Sequence, residues 1–83
     1  MMVLVVEKAT PAVRGELSRW LIEPKAGVFV GNVSAMVRDK LWEKVTGGIE
    51  RGKTAGALLL HSAQNEQGFS VWVFGETKRD IHD

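Results

Sequence analysis

With 83 residues, 45% hydrophobic and 25% charged, the chain is sized for one globular domain with one small core, and its composition excludes a disordered tail protein. It has no cysteine, which excludes disulfide scaffolds, thiolate metal sites and cysteine nucleophiles together and makes a reducing cytoplasm the expected setting. The net charge of +1 is uninformative alone, but residues 1–53 hold nine Lys/Arg against six Asp/Glu, while residues 54–83 hold two against four. That asymmetry leaves room for a basic patch on an otherwise solvated surface.

In chain order, Met2 to Val6 is a continuous apolar, β-branched run, the pattern of a central strand covered on both faces. The run is too short for a signal peptide or a membrane span, so no membrane partner is expected. Thr10-Pro11 then offers a hydroxyl N-cap followed by a ring whose fixed φ suits the first helical position. Val13, Leu17 and Leu21 recur at helical spacing with Trp20 beside them, and Pro24 places the end of this helix near Glu23. Gly15 sits inside it, where close approach or tight packing would justify a glycine.

Gly27 to Gly31 reads as one short strand. Asn32 or Ser34 caps a second helix with Val37, Leu41 and Val45 as its apolar stripe, widened by Trp42 and extended by Ile49. Gly47-Gly48 weakens its last turns, and Gly52 is the expected stop. Thr54 to His61 reads as a buried strand, Ser62 to Gly68 as a polar turn, and Phe69 to Phe74 as the last strand. The tail from Glu76 to Asp83 is polar and has no core pattern.

Helices alternating with strands at these lengths predict a two-layer α+β sandwich, with both helices on one face of a mostly antiparallel sheet. In the last strand, Phe69, Val71 and Val73 alternate with Trp72 and Phe74. Trp72 and Phe74 are expected to point away from the helices, and an exposed aromatic pair there predicts a homodimer surface.

Chemical motifs are sparse. No HExxH, Walker loop, dinucleotide fingerprint or zinc spacing occurs. His61 ends a strand and His82 lies in the tail, both expected to be solvated. Glu7 leaves the first strand beside Lys8; in a symmetric dimer two such carboxylates would share a hard cation. Arg14 falls in the first turns of helix one, near its positive end. Arg38 precedes Trp42 by one turn and is expected to stack on its indole. Lys78-Arg79 forms a basic pair after the last strand, whereas Arg19 with Glu23 and Lys40 with Glu43 fit ordinary helix ion pairs.

The order of Leu4-Val5-Val6-Glu7, Pro11, Arg14-Gly15, Trp20-Leu21, Ala26 to Ala35, Arg38 and Leu41-Trp42-Glu43, followed by Gly68-Phe69, Phe74-Gly75 and Lys78-Arg79, resembles the type I-E branch of the CRISPR-associated protein two family. The similarity runs from Met1 to about Arg79. It implies a single ferredoxin-like βαββαβ domain with an additional C-terminal strand, with two short strands between Pro24 and Gly31 where the pattern alone shows one. It further implies a homodimer that bridges CRISPR integrase dimers and holds a double-stranded DNA spacer precursor. Carried over by position, Arg14, Lys78 and Arg79 are the implied phosphate contacts, with Arg38 as a weaker member.

Many relatives carry an aspartate at the end of strand one and are described as metal-dependent endonucleases, acting with Mg on RNA or duplex DNA. Here Glu7 stands near that place, as in the type I-E branch, so the resemblance favours a scaffold that needs no cofactor over a hydrolase. That branch continues past the basic pair into a strand that docks on the integrase, and this sequence is expected to lack that contact, since it ends at Asp83.

Overall fold

A computed structural model of the chain describes residues 1–50 (side chains to residue 47), 56–64 and 66–75. The elements are β1 (Met2–Glu7), α1 (Pro11–Ser18), β2 (Ile22–Lys25), β3 (Val28–Gly31), α2 (Ala35–Glu50), β4 (Gly56–Ser62) and β5 (Phe69–Gly75). They form one sheet in the order β2-β3-β1-β4-β5 with every neighbouring pair antiparallel. The connection through α1 passes over β3 and that through α2 passes over β1, giving the two split βαβ units of a ferredoxin-like sandwich. β5 is the additional strand beyond β4. The α+β class and its layer arrangement are those expected from the sequence.

Register decides which side of the sheet is dry. Met2, Leu4 and Val6 alternate toward the helices, and Leu4 stands opposite both Phe29 and Leu59. Directly opposed residues share a face, so Phe29, Leu59 and Ala57 join them and meet Leu17, Leu41 and Val45 from the helices. Full burial of an aliphatic or aromatic side chain contributes about 1.5–3 kcal/mol each, and these residues form the core that holds the fold.

The other face is apolar too, which explains the unbroken hydrophobic run of β1. Val3 and Val5 oppose Val30 and Val28 on one side and Leu60 and Leu58 on the other; Leu60 and Leu58 in turn oppose Val71 and Val73. No described element covers this face. Ile22, Val71 and Val73 are 69%, 47% and 56% exposed there.

This register reverses the expectation for β5. Trp72 opposes Leu59 and Phe74 opposes Ala57, so both aromatics lie on the helix side, and Trp72 packs against the core. The exposed apolar row is Phe69, Val71 and Val73 instead. On that side Trp42 of α2 meets Trp72 edge-on at 5.7 Å.

The first helix also ends earlier than the Pro24 argument placed it. α1 stops at Ser18; the Trp20 and Leu21 amides close the last turn on the Leu17 carbonyl, and Leu21 is buried beyond the helix. β2 starts at Ile22, ahead of Pro24. Pro24 sits in an edge strand, where its missing N–H removes no ladder bond. Ser34, not Asn32, caps α2, its hydroxyl accepting from the Val37 amide at 3.2 Å. Ile49's side chain, Gly52, and the start of the predicted fourth strand at Thr54 lie outside the described residues.

Candidate nucleic-acid interface

The sheet has two ends, and the candidate residues divide between them. At one end lie Met2, Gly31 and His61, which are aligned by register; at the other lie Glu7 and its partner Gly56, with Gly75 opposite Gly56. The turn at Gly27 belongs to the Glu7 end, because the Val6 amide donates to the Gly27 carbonyl at 2.8 Å. The five residue steps of β1 between Met2 and Glu7 separate the ends by roughly 17 Å.

Arg14 belongs to the Glu7 end. Thr10 caps α1, accepting from Val13 N–H at 3.3 Å, and Pro11 occupies the first turn, so Arg14 stands one turn into the helix. Its Nη2 lies 3.2 Å from Glu23 Oε2, and the same carboxylate oxygen accepts from the Gly27 amide at 2.9 Å. Gly27 is fixed by its own requirements, a φ of +83° and a position where an added Cβ would sit 2.9 Å from the Val6 carbonyl oxygen. The guanidinium is thus tied through Glu23 to the turn and through the turn to β1. Arg14 Nε is buried without a hydrogen-bond partner, while the side chain as a whole remains 42% exposed.

Sequence reasoning paired Glu23 with Arg19. With α1 ending at Ser18, Glu23 lies on β2 and takes Arg14 instead. Among the described residues the ion pairs are Arg14–Glu23, Arg38–Asp39 and Lys44–Glu16.

Beside Arg14 is an open cleft of about 650 Å³ lined by Val5, Val6, Glu7, Lys8, Ala9, Arg14, Ala26 and Gly27. Glu7 is its single carboxylate, and two cations share the lining. Among the described residues no group of three His, Cys, Asp or Glu side chains gathers to hold a metal ion. Glu7 is the one carboxylate this chain brings to the cleft, and a hard cation there would draw its remaining oxygen ligands from water, phosphate or a second copy.

Arg38 is at the opposite end and is enclosed. Its guanidinium stacks on Trp72, not on Trp42, with 5.0 Å to the ring centroid. Nε meets Asp39 Oδ1 at 3.1 Å and Nη1 meets His61 Nδ1 at 3.2 Å, leaving the side chain 20% exposed. A guanidinium stacked on one face and bonded along two edges offers little to a phosphate. His61 likewise is not a solvated strand end. Its ring stands edge-on to Trp72 at 5.1 Å, its Nδ1 lies 2.8 Å from the Ser62 carbonyl oxygen, and its Nε2 is buried without a partner.

The structure therefore does not bring Arg14 and Arg38 together. Lys78, Arg79 and His82 lie outside the described residues, but β5 leaves the sheet at Gly75, on the Glu7 and Arg14 end. Lys8 was not singled out by sequence reasoning. Neither charge nor spacing sets it apart, and only its backbone does, with a φ of 56°.

A family model described as CRISPR-associated protein (Cas_Cas2CT1978) matches residues 1–83. The chain belongs to this Cas2-like family. Its membership gives the chain a CRISPR-associated role in defence. Among the described residues no helix is long and apolar enough to cross a membrane.

Proposed function

We propose that this chain is a type I-E-like scaffold subunit of spacer acquisition, a cytoplasmic homodimer that bridges integrase dimers and holds the spacer duplex by its phosphates. The observation that carries this reading is the anchored Arg14 beside a cleft with one carboxylate and two cations. An arginine held by a carboxylate on one edge, with its Nε buried, still has Nη N–H groups to offer a phosphate, a contact that positions DNA without reading sequence. The basic pair Lys78-Arg79 lies outside the described residues; because it follows Gly75 by three and four residues in sequence, it is assigned to the same surface as part of this proposal. Arg38 is left out of it, because its guanidinium is already enclosed.

The test is an insertion assay in which an integrase from the same source, a short duplex and a CRISPR repeat are combined with and without this chain. Insertion should require the chain and survive Glu7→Gln. Glu7 closes the row of Val3 and Val5 on the open face, so a dimer formed there would set two such carboxylates on one interface. A Mg-dependent cleavage of RNA or duplex DNA lost on Glu7→Gln would overturn the scaffold reading in favour of an endonuclease.

The homodimer rests on the open face of the sheet. A patch built from Val3, Val5, Leu58, Leu60, Val71 and Val73 exceeds the scattered apolar residues that a monomer normally shows. A second copy of the same face buries it with matching chemistry. Light scattering at micromolar protein should give the dimer mass, and Val73→Glu should give the monomer, since an unpaired buried charge costs several kcal/mol. A monomer mass for the parent chain would sink the dimer.

A further inference from the structure

β1 must turn sharply to enter α1, and the turn is made at Lys8 with a φ of 56°. This is the left-handed region, which glycine adopts freely and asparagine tolerates, whereas a lysine there is strained. Among the described residues it is the single non-glycine with positive φ. Strain of this kind persists where the side chain does something that an unstrained residue would not.

Three further observations say what that is. Lys8 lines the cleft that Arg14 also lines. It has no ion-pair partner among the described residues, unlike Arg14, which shares its charge with Glu23. The first turn of α1 carries no acidic residue, so the positive end of the helix beside Lys8 is not offset locally. We propose that Lys8 is a second phosphate-binding cation of this cleft, working beside Arg14 on the backbone of a nucleic acid duplex. The proposal rests on the duplex-holding reading of the site and adds a residue to it. Arg14 supplies a fixed, planar donor set, and Lys8 supplies a mobile point charge that follows the phosphate.

The conformation makes the test clean, because a structural role and a binding role move different quantities. Lys8→Asn removes the charge and suits the left-handed backbone. Binding of the full-length chain to duplexes of unrelated sequence is measured over a range of KCl concentrations, beside its melting temperature. The expected result is a melting temperature equal to or above the parent's, with the slope of log K against log salt flattened by about 0.9 per contact, or ~1.8 for two protomers. Lys8→Arg should retain the parent slope.

An unchanged slope in Lys8→Asn overturns the proposal, and so does a melting temperature several degrees below the parent's, which would make Lys8 structural. Arg14→Ala separates this failure from failure of the underlying reading. If Arg14→Ala flattens the slope and Lys8→Asn does not, the scaffold reading stands and Lys8 alone is refuted. If the parent chain binds no duplex, both fall.

Discussion

At the end of the sheet where β1 begins, Arg38 is stacked on Trp72, bonded to His61 and Asp39, and mostly shielded from water. At the end where β1 finishes, Arg14 has one carboxylate partner, Glu23, and stands at the rim of an open cleft. The residue types are the same and both lie near the start of a helix. The difference is what surrounds each: Trp72 and His61 of the sheet with Trp42 of α2 at one end, and small sheet and turn residues, Gly27, Gly56 and Gly75, at the other. Aromatic surface draws the guanidinium inward, where it joins α2 to β4 and β5. Glycines leave the other end low and open, so a cation there faces outward. One end is closed by packing, and the other is left open for the contact proposed above.

The largest effect that would break this contrast is at the closed end. Trp72→Ala removes the ring on which Arg38, His61 and Trp42 converge, and should cost ~2–3 kcal/mol, below the full value for a buried tryptophan because Trp72 is only partly buried. Denaturant titration at fixed protomer concentration reads this, and the salt dependence of duplex binding should not change. A smaller effect of opposite character is expected at the open end. Arg14→Ala breaks a partly exposed ion pair and should cost at most ~1 kcal/mol of stability. It should instead flatten the salt slope by ~1.8 in a dimer. If Arg38→Ala moved the slope as far as Arg14→Ala, the two ends would not differ in function and the contrast would fail.

How much of this was legible in the chain follows from which contacts are local. Strands β1, β3, β4 and β5, both helices and the N-caps at Thr10 and Ser34 are written in periods and caps within a few residues, and they came through; β2 did not, because Ile22 and Glu23 had been read as the end of the first helix. The face of β5 did not. Alternation separates Trp72 and Phe74 from Val71 and Val73, but only the register against Leu59 and Leu4 says which set meets the helices, and that register is long-range. The end of α1 was misplaced because Leu21 fits the helical stripe equally well as a buried residue just past the helix. Arg14 was found as a candidate, but its partner Glu23 was not, since the bond joins a helix to a strand. Lys8 carried no signal at all, because the left-handed turn lacks the glycine or asparagine that announces one.

The smallest expected effect sharpens the open end most finely. Gly15 follows Arg14 within α1, and a helix glycine there invited the idea of tight packing against a strand. The packing is absent: a Cβ added at Gly15 meets nothing within 4 Å. Its backbone is ordinary helix, so alanine fits without strain and loses less conformational entropy on folding. Gly15→Ala should therefore stabilise the chain by up to ~1 kcal/mol, read as a rise in denaturation midpoint with unchanged slope. Absence of any gain would show that the site is not open. The same variant tests why a glycine stands beside the arginine proposed to bind phosphate. If the duplex backbone comes close to α1 at this point, the added methyl should weaken binding severalfold while the salt slope stays put, because no charge is lost. If affinity is unchanged, the duplex is held by side chains that reach out from Arg14 and its neighbours, and the helix surface itself stays clear of the DNA.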